Sequence, residues 1–265
     1  MNIKYPKKSL GQNFLNDKNI IDIIINSGDI KKNDTILEVG PGTGKLTERI
    51  LLKNPKKLIV IEKDNRLASL LQNNFESQIK VINEDVLKIN ENLLHKEKLI
   101  VFGNLPYNIS TEILCKWILN IKNRNFWFSH LILMFQKEVA DRIIALPNTK
   151  NYGRLSVISN WKLNIKKICD VKPSSFSPKP KIDSTILYFE PKQNFYQLEN
   201  SENLERITRT FFAHRRKMIK KPFNLLFKKN IHIVKKLKIN LDLRPQNLNI
   251  ETYIKLADEY EKLKS

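Results

Sequence analysis

The sequence predicts an α/β fold: a mostly parallel, Rossmann-like sheet with one antiparallel strand, followed by a small all-helical C-terminal domain. Three observations predict it. Short apolar β-type runs alternate with segments whose apolar residues fall at helical spacing. A glycine-rich turn, Gly40-Pro41-Gly42-Thr43-Gly44, stands between the first such run and a helical segment. Beyond about residue 191 the strand pattern stops and helical periodicity alone remains.

Taken in order, Thr35 to Val39, Lys57 to Ile61, Ile79 to Ile82, Leu99 to Phe102 and His130 to Phe135 read as buried strands. Lys45 to Lys53, Arg66 to Phe75 and Thr111 to Ile121 read as the helices between them. Ile165 to Val171 and Ser184 to Phe189 have no helical pattern between them, so they are expected as a hairpin that adds the antiparallel strand. After the polar stretch 191–203, Leu204, Ile207, Phe211, Phe212, Met218 and Ile219 keep one apolar stripe, with Arg206, Arg209, Arg216 and Lys220 opposite. The expected domains are residues 1–194 and 195–265.

The chain has 265 residues, enough for one or two domains, and 47 Lys and Arg against 27 Asp and Glu, a formal net charge of +20. Such an excess attracts a polyanion, nucleic acid or an acidic membrane. The chain is also rich in Lys, Asn and Ile, a bias that by itself raises the charge. Cys115 and Cys169 lie far apart, and His95, His130, His214 and His232 show no paired metal spacing, so a reducing cytoplasm and no metal are expected. The basic opening Met1 to Lys8 lacks the apolar stretch of a secretory signal. The longest apolar run, Leu131 to Phe135, falls far short of the roughly 20 residues that cross a membrane.

The glycine turn lets a ligand approach the backbone closely at a helix start. A P-loop would need four residues before its Gly-Lys and a Ser or Thr after it; here three residues separate Gly40 from Gly44, and Leu46 follows Lys45. A dinucleotide fingerprint wants G-x-G-x-x-G, and this loop has G-x-G-x-G. Glu62, at the tip of the second strand, is placed to bind ribose hydroxyls, and Asp85, after the third, to accept from an adenine amino group. Asn104-Leu105-Pro106-Tyr107 follows the fourth. The Asn104 side-chain oxygen and a main-chain carbonyl at Leu105 or Pro106 can each accept one N–H of a target adenine, turning its delocalised lone pair toward a methyl donor. Tyr107 offers a face on which the base stacks. In isolation this pattern is more readily a proline turn with a core tyrosine than a site. Its place with the glycine loop, Glu62 and Asp85 at four successive strand ends favours a site.

Gly11 to Leu15, the Gly40 loop, Asn104 to Thr111, Gln136 to Val139, Tyr152 to Ser156 and Phe176 to Ser184, in this order, resemble the ribosomal RNA adenine N6-dimethyltransferases over nearly the whole chain. The likeness is strongest to the bacterial small-subunit branch, whose loss gives kasugamycin resistance. It implies an S-adenosylmethionine-dependent methyltransferase sheet and transfer of four methyl groups to two adjacent adenosines in a hairpin loop near the 3′ end of 16S rRNA, in an assembling small subunit. It implies that Asn13, Leu15, Gly40, Glu62, Asp85 and Asn104, with Gly42 in the same loop, bind S-adenosylmethionine. Phe176, in a proline-restricted loop, is either a loop anchor or a second stacking face; the resemblance favours stacking. Lys4, Lys7 and Lys8, the pair Lys179 and Lys181, and the run His214-Arg215-Arg216-Lys217 with Lys220 and Lys221 are expected to dock RNA phosphates. A monomer is expected. Competing readings are a large-subunit methyltransferase of the erythromycin-resistance type, a DNA adenine methyltransferase, and an assembly factor whose binding matters more than its methylation.

Overall fold

The computed structural model describes residues 6–7, 10–122 and 124–264. By their internal contacts these fall into two compact units, one drawn from 1–113, 124–140 and 164–191, the other from 114–123, 141–163 and 192–265.

The first unit opens with a two-residue strand, β1 (Phe14–Leu15), and helix α1 (Lys18–Ser27), whose first turn is capped by Asp17 accepting from the Asn19 and Ile20 amides. Then come β2 (Thr35–Val39), α2 (Lys45–Leu51), β3 (Lys57–Ile61), α3 (Asn65–Phe75), β4 (Lys80–Ile82), β5 (Leu99–Asn104), α4 (Ser110–Leu119) and β6 (Phe128–Gln136). α5 (Lys137–Ile143) and α6 (Arg154–Lys162) precede β7 (Leu163–Val171), β8 (Phe176–Ser177) and β9 (Ser184–Pro191). Seven strands form one sheet in the order β4-β3-β2-β5-β6-β9-β7, while β1 and β8 pair antiparallel as a separate ribbon. β2 is parallel to β3 and β5, β4 to β3, and β6 to β5; β9 runs antiparallel to β6. All five residues of β2 are buried, as expected of a strand covered on both faces.

The strand order places a topological switch between β2 and β5: the chain moves outward from β2 to β3 and β4, then returns to β2's other side. In open α/β sheets the crevice beyond the carboxyl ends at such a point receives the ligand. The expected strands and helices lie at their predicted places. The ribbon of β1 and β8 had no signal, because two-residue strands have no periodicity to read.

The second unit packs α7 (Ser201–Phe212), α8 (Lys220–Phe227), α9 (Ile231–Leu237) and α10 (Ile250–Lys262) with residues 114–123 and 141–163, around a core that includes Trp161, Phe211, Phe223, Phe227 and Tyr253. A single cut after residue 194 therefore misses part of this unit, because Tyr152, just before α6, and Val157 and Trp161 within it belong to the helical core. The expected apolar stripe also ends earlier: α7 stops at Phe212, the chain turns, and Met218 is 55% exposed while Ile219 is buried.

Lys162 is 2% exposed. Its Nζ donates to the Ile118 and Ile121 carbonyls at 3.1 and 2.8 Å, at the end of α4, and lies 3.9 Å from the Trp161 ring centroid. A cation suits a helix C-terminus and an aromatic face, yet burial pushes its ammonium down to about 7. The unfolded chain, with an ordinary value of 10.5, then binds more protons between these two values, so this group makes stability rise as pH climbs from about 7 to about 10.5. In Lys162→Met that rise, on the order of a few kcal/mol, disappears from the difference between variant and wild-type denaturation profiles.

Candidate functional site

Strand register builds the site. Val39 lies opposite Ile61 of β3 and Gly103 of β5, and Ile61 opposite Ile82 of β4. Gly40, Glu62 and Asn104 therefore each stand one residue beyond a common line, with Asp85 shortly after it. Asn13, Leu15, Gly40, Gly42, Glu62, Asp85 and Asn104, the residues expected to hold the cofactor, all line one cleft at these ends, as do Leu105, Pro106 and Tyr107.

The glycine loop is shaped by steric need. Gly40 has φ +73°, and a Cβ there would come within 3.1 Å of the Asn104 carbonyl oxygen; at Gly42, φ +59°, it would come within 2.8 Å of the Phe14 ring. Side chains at either position would thus be strained and crowded, and glycine keeps loop, β5 and the Phe14 segment close. Glu62, 7% exposed, accepts from the Asp64 amide at 2.8 Å and the Gly42 amide at 3.3 Å, so one carboxylate ties the tip of β3 to the loop. Burial raises its pKa, against those amides. Asp85 is held below the usual carboxylate range, first by Lys63 at 2.7 Å, and its other oxygen caps the turn at Val86–Lys88 through the Leu87 amide.

Glu38 lies inside the expected strand Thr35 to Val39 and was not singled out from the sequence. It is 2% exposed at the end of β2, accepts from Thr47 Oγ1 at 2.7 Å, and is pushed up to about 8, first by burial and further by Glu62. The signal was available: a carboxylate inside an otherwise apolar strand. Asp64 was also missed. It accepts from Gln12 at 2.9 Å, Lys7 at 3.3 Å and Arg66 at 2.7 Å, and these partners, Arg66 first, hold it well below its ordinary value. Asp64 thus pins the segment before β1 to the start of α3, and Lys7 is engaged within the fold. Lys4 and Lys8 lie outside the described residues.

The structure resolves which atoms of the Asn104 segment are available. Asn104 Nδ2 donates to the Asn13 carbonyl at 3.1 Å, which sets the amide orientation and makes Oδ1 its remaining acceptor. Of the two carbonyls considered, Pro106 O is taken by the Ile109 and Ser110 amides at 3.1 and 3.0 Å; Leu105 O accepts no hydrogen bond among the described residues. The half-buried Tyr107 meets Ser184 Oγ through its hydroxyl at 2.5 Å.

Two expectations change. Phe176 is 3% exposed, pairs in register with Leu15 across β1 and β8, and packs in the sheet's hydrophobic core; it does not line the cleft. Burial of the ring against the N-terminal ribbon is the placement expected of a loop anchor. Arg215 is half-buried and donates to the Thr149 carbonyl at 3.3 Å and to the Lys150 carbonyl, so it fastens a loop of its own unit. Arg216, Lys217 and Lys220 are exposed, as are Lys179 and Lys181. No helix of the described residues is long and apolar enough to cross a membrane.

Comparison with known proteins adds to this geometry. A family model described as Ribosomal RNA adenine dimethylase matches residues 3–262. A Pelagibacter ubique protein named Ribosomal RNA small subunit methyltransferase A is 59% identical over 258 residues, covering 97% of this chain and 98% of that protein. A Wolbachia protein of the same name, from the strain of Drosophila simulans, is 41% identical over 261 residues, covering 97% and 94%. Among solved structures, a dimethyladenosine transferase from Plasmodium falciparum superimposes with a TM-score of 0.79 at 29% identity, covering 94% of this chain and 98% of that one. The 23S rRNA methyltransferase ErmE shares the fold, with a TM-score of 0.67 at 23% identity over 96% and 100%.

The raised Glu38 yields a test of the site's electrostatics. Its folded pKa of about 8 lies above the ordinary 4.5, so its contribution to stability is complete below about 4.5 and is lost as pH rises through about 8. Glu38→Gln keeps the shape and an acceptor for Thr47 without the charge. Denaturant melts should show the variant gaining on wild type, by on the order of a few kcal/mol, as pH moves from 4.5 to 8.

Proposed function

The chain belongs to the ribosomal RNA adenine dimethylase family, and from that premise we propose that it dimethylates N6 of two adjacent adenosines in a hairpin loop near the 3′ end of 16S rRNA, in the small ribosomal subunit. The methyl donor in this reading is S-adenosylmethionine, and the setting is the cytoplasm, with the protein acting as a monomer. The single observation that carries the reading is the pair of acceptors, Asn104 Oδ1 and Leu105 O, left available where the glycine loop meets β5.

The residues present fit the cofactor. The backbone at Gly40 and Gly42 leaves room that a Cβ would fill, and Glu62 and Asp85 follow the second and third strands of the switch-point half-sheet. Gly40 and Gly42 would lie against it, Glu62 would take ribose hydroxyls, Asp85 the adenine amino group, and Asn13 and Leu15 would close the cleft from the N-terminal side. When bound, it supplies an electrophilic methyl group on a sulfonium.

Asn104 Oδ1 and Leu105 O each accept one N–H of the target amine. The amine's lone pair, otherwise spread into the purine ring, is thereby turned out of the ring plane. As nitrogen gains a carbon it gains positive charge, and the same two carbonyl dipoles stabilise that charge without rearranging. Its proton then leaves to water. A monomethylated amine keeps one N–H, so one of the two acceptors suffices to hold it in the second round. Tyr107 supplies the stacking face that an unstacked base requires. Phosphate contacts fall to exposed Arg216, Lys217 and Lys220, with Lys179 and Lys181, which position the RNA rather than read it.

Incubation with labelled S-adenosylmethionine and unmethylated small subunits, followed by mapping of the modified bases, tests this reading. Label on two adjacent adenosines near the 3′ end supports it; label appearing on 23S RNA or duplex DNA instead overturns it. Asn104→Ala should lower kcat by roughly 10²- to 10³-fold with cofactor saturating, while cofactor affinity stays within about threefold. RNA binding should weaken steeply with salt, and an Arg216→Ala, Lys217→Ala double variant should flatten that dependence by a slope of about one to two. A wild type whose binding ignores salt would remove the docking role of these cations.

A further inference from the structure

The Asn104 segment is held at both ends by residues far away in sequence. Asn104 is fixed from the N-terminal side by the Asn13 carbonyl. At the other end the Tyr107 hydroxyl meets Ser184 Oγ at 2.5 Å, across 77 positions of sequence. Ser184 is fully buried, and its place is set by the sheet: it is the first residue of β9 and lies opposite Gln136 of β6. The preceding residue is clamped as well, since the Asp183 carbonyl accepts from the Lys137 amide at 2.9 Å and its carboxylate meets Lys172 Nζ at 2.8 Å. Ser184 is therefore a rigid point of attachment.

Tyr107 itself is less constrained. It follows a proline turn, lies beyond the end of β5, and is only half-buried, so packing alone does not fix its ring. A tyrosine has two free torsions, the second of them broad. Holding the far end of the ring by its hydroxyl fixes the first; the hydroxyl oxygen lies on the axis of the second, which is steered only through the preference of a phenol hydroxyl to bond in the plane of its ring. An aromatic that must receive a base in one place gains from such pre-organisation, because the ordering cost is then met in folding rather than in the reaction.

We propose that Ser184 is a positioning residue for methyl transfer: through its hydroxyl it anchors the Tyr107 ring at the place where the target adenine stacks against it. This inference rests on the reading of Tyr107 as the stacking face. The phenol acts as a neutral tether and takes no part in proton transfer. Stacking needs only the ring, so the hydroxyl's contribution is separable from that of the ring.

A double-mutant cycle on the full-length protein, with small subunits as substrate and cofactor saturating, tests both levels. Ser184→Ala and Tyr107→Phe should each lower kcat by about five- to tenfold, the amount expected for one positioning hydrogen bond, with KM for the particle changed less than twofold. Ser184→Ala made in the Tyr107→Phe background should cost nothing further. Tyr107→Phe approaches the same bond from its half-exposed end, so the cycle remains informative if Ser184→Ala lowers the melting temperature; Ser184→Thr, which keeps the hydroxyl, should recover most of the rate. If the two losses multiply, or Tyr107→Phe is indistinguishable from wild type, Ser184 does not act through Tyr107 and the proposal fails while the stacking reading stands. If Tyr107→Ala also retains full kcat, the stacking reading itself fails.

Discussion

Parallel pairing of β2 with both β3 and β5 is the constraint on which the rest of this molecule depends. Hydrogen bonding in a parallel ladder fixes the relative level of strand ends, and here it brings Val39, Ile61 and Gly103 to one line. Loops that leave from that line have no choice but to meet. The glycines at 40 and 42 answer a crowding that the register imposes, with the Asn104 carbonyl on one side and Phe14 on the other. Antiparallel β9 then returns Ser184 to the level of Gln136, within reach of Tyr107.

Electrostatics at the cleft follows from the same geometry. Two carboxylates, Glu38 and Glu62, are buried at adjacent strand ends; burial raises both, with a further push from Glu62 on Glu38 and from Asp64 on Glu62. Amide donors and Thr47 offset part of that cost, which is how acidic groups persist at the bottom of an apolar sheet. Asp64 and Asp85, a few residues further along their loops, stay ionised because lysine and arginine reach them. Charge on these carboxylates therefore follows their partners rather than their depth: Asp64 is as buried as Glu38, yet its cations hold it ionised.

Strand and helix positions were legible because burial on both faces of a parallel sheet leaves continuous apolar runs, and because the glycine loop and Asn104 segment follow such runs directly. Four strand-end residues could be read as one site for the same reason. Phe176 and Arg215 were misplaced, since a side chain's surroundings depend on contacts remote in sequence: Leu15 across a two-residue ribbon for one, the carbonyls of residues 149 and 150 for the other. The helical unit's share of α6 was hidden likewise, because its apolar face meets partners remote in sequence, Phe195 beside Trp161 among them.

By itself the sequence determined the α/β class, the order of the strands along the chain, the glycine loop and the residue types that would face a purine. Local propensity and periodicity carry that information over a few residues at a time. Only the tertiary structure decided that Leu105 rather than Pro106 presents its carbonyl, that the Asn104 amide points its oxygen away from Asn13, and that Tyr107 is tethered to Ser184. Which lone pair is spent on the protein's own turns and which remains for a ligand is settled by hydrogen bonds between distant segments, and those exist only once the sheet has closed.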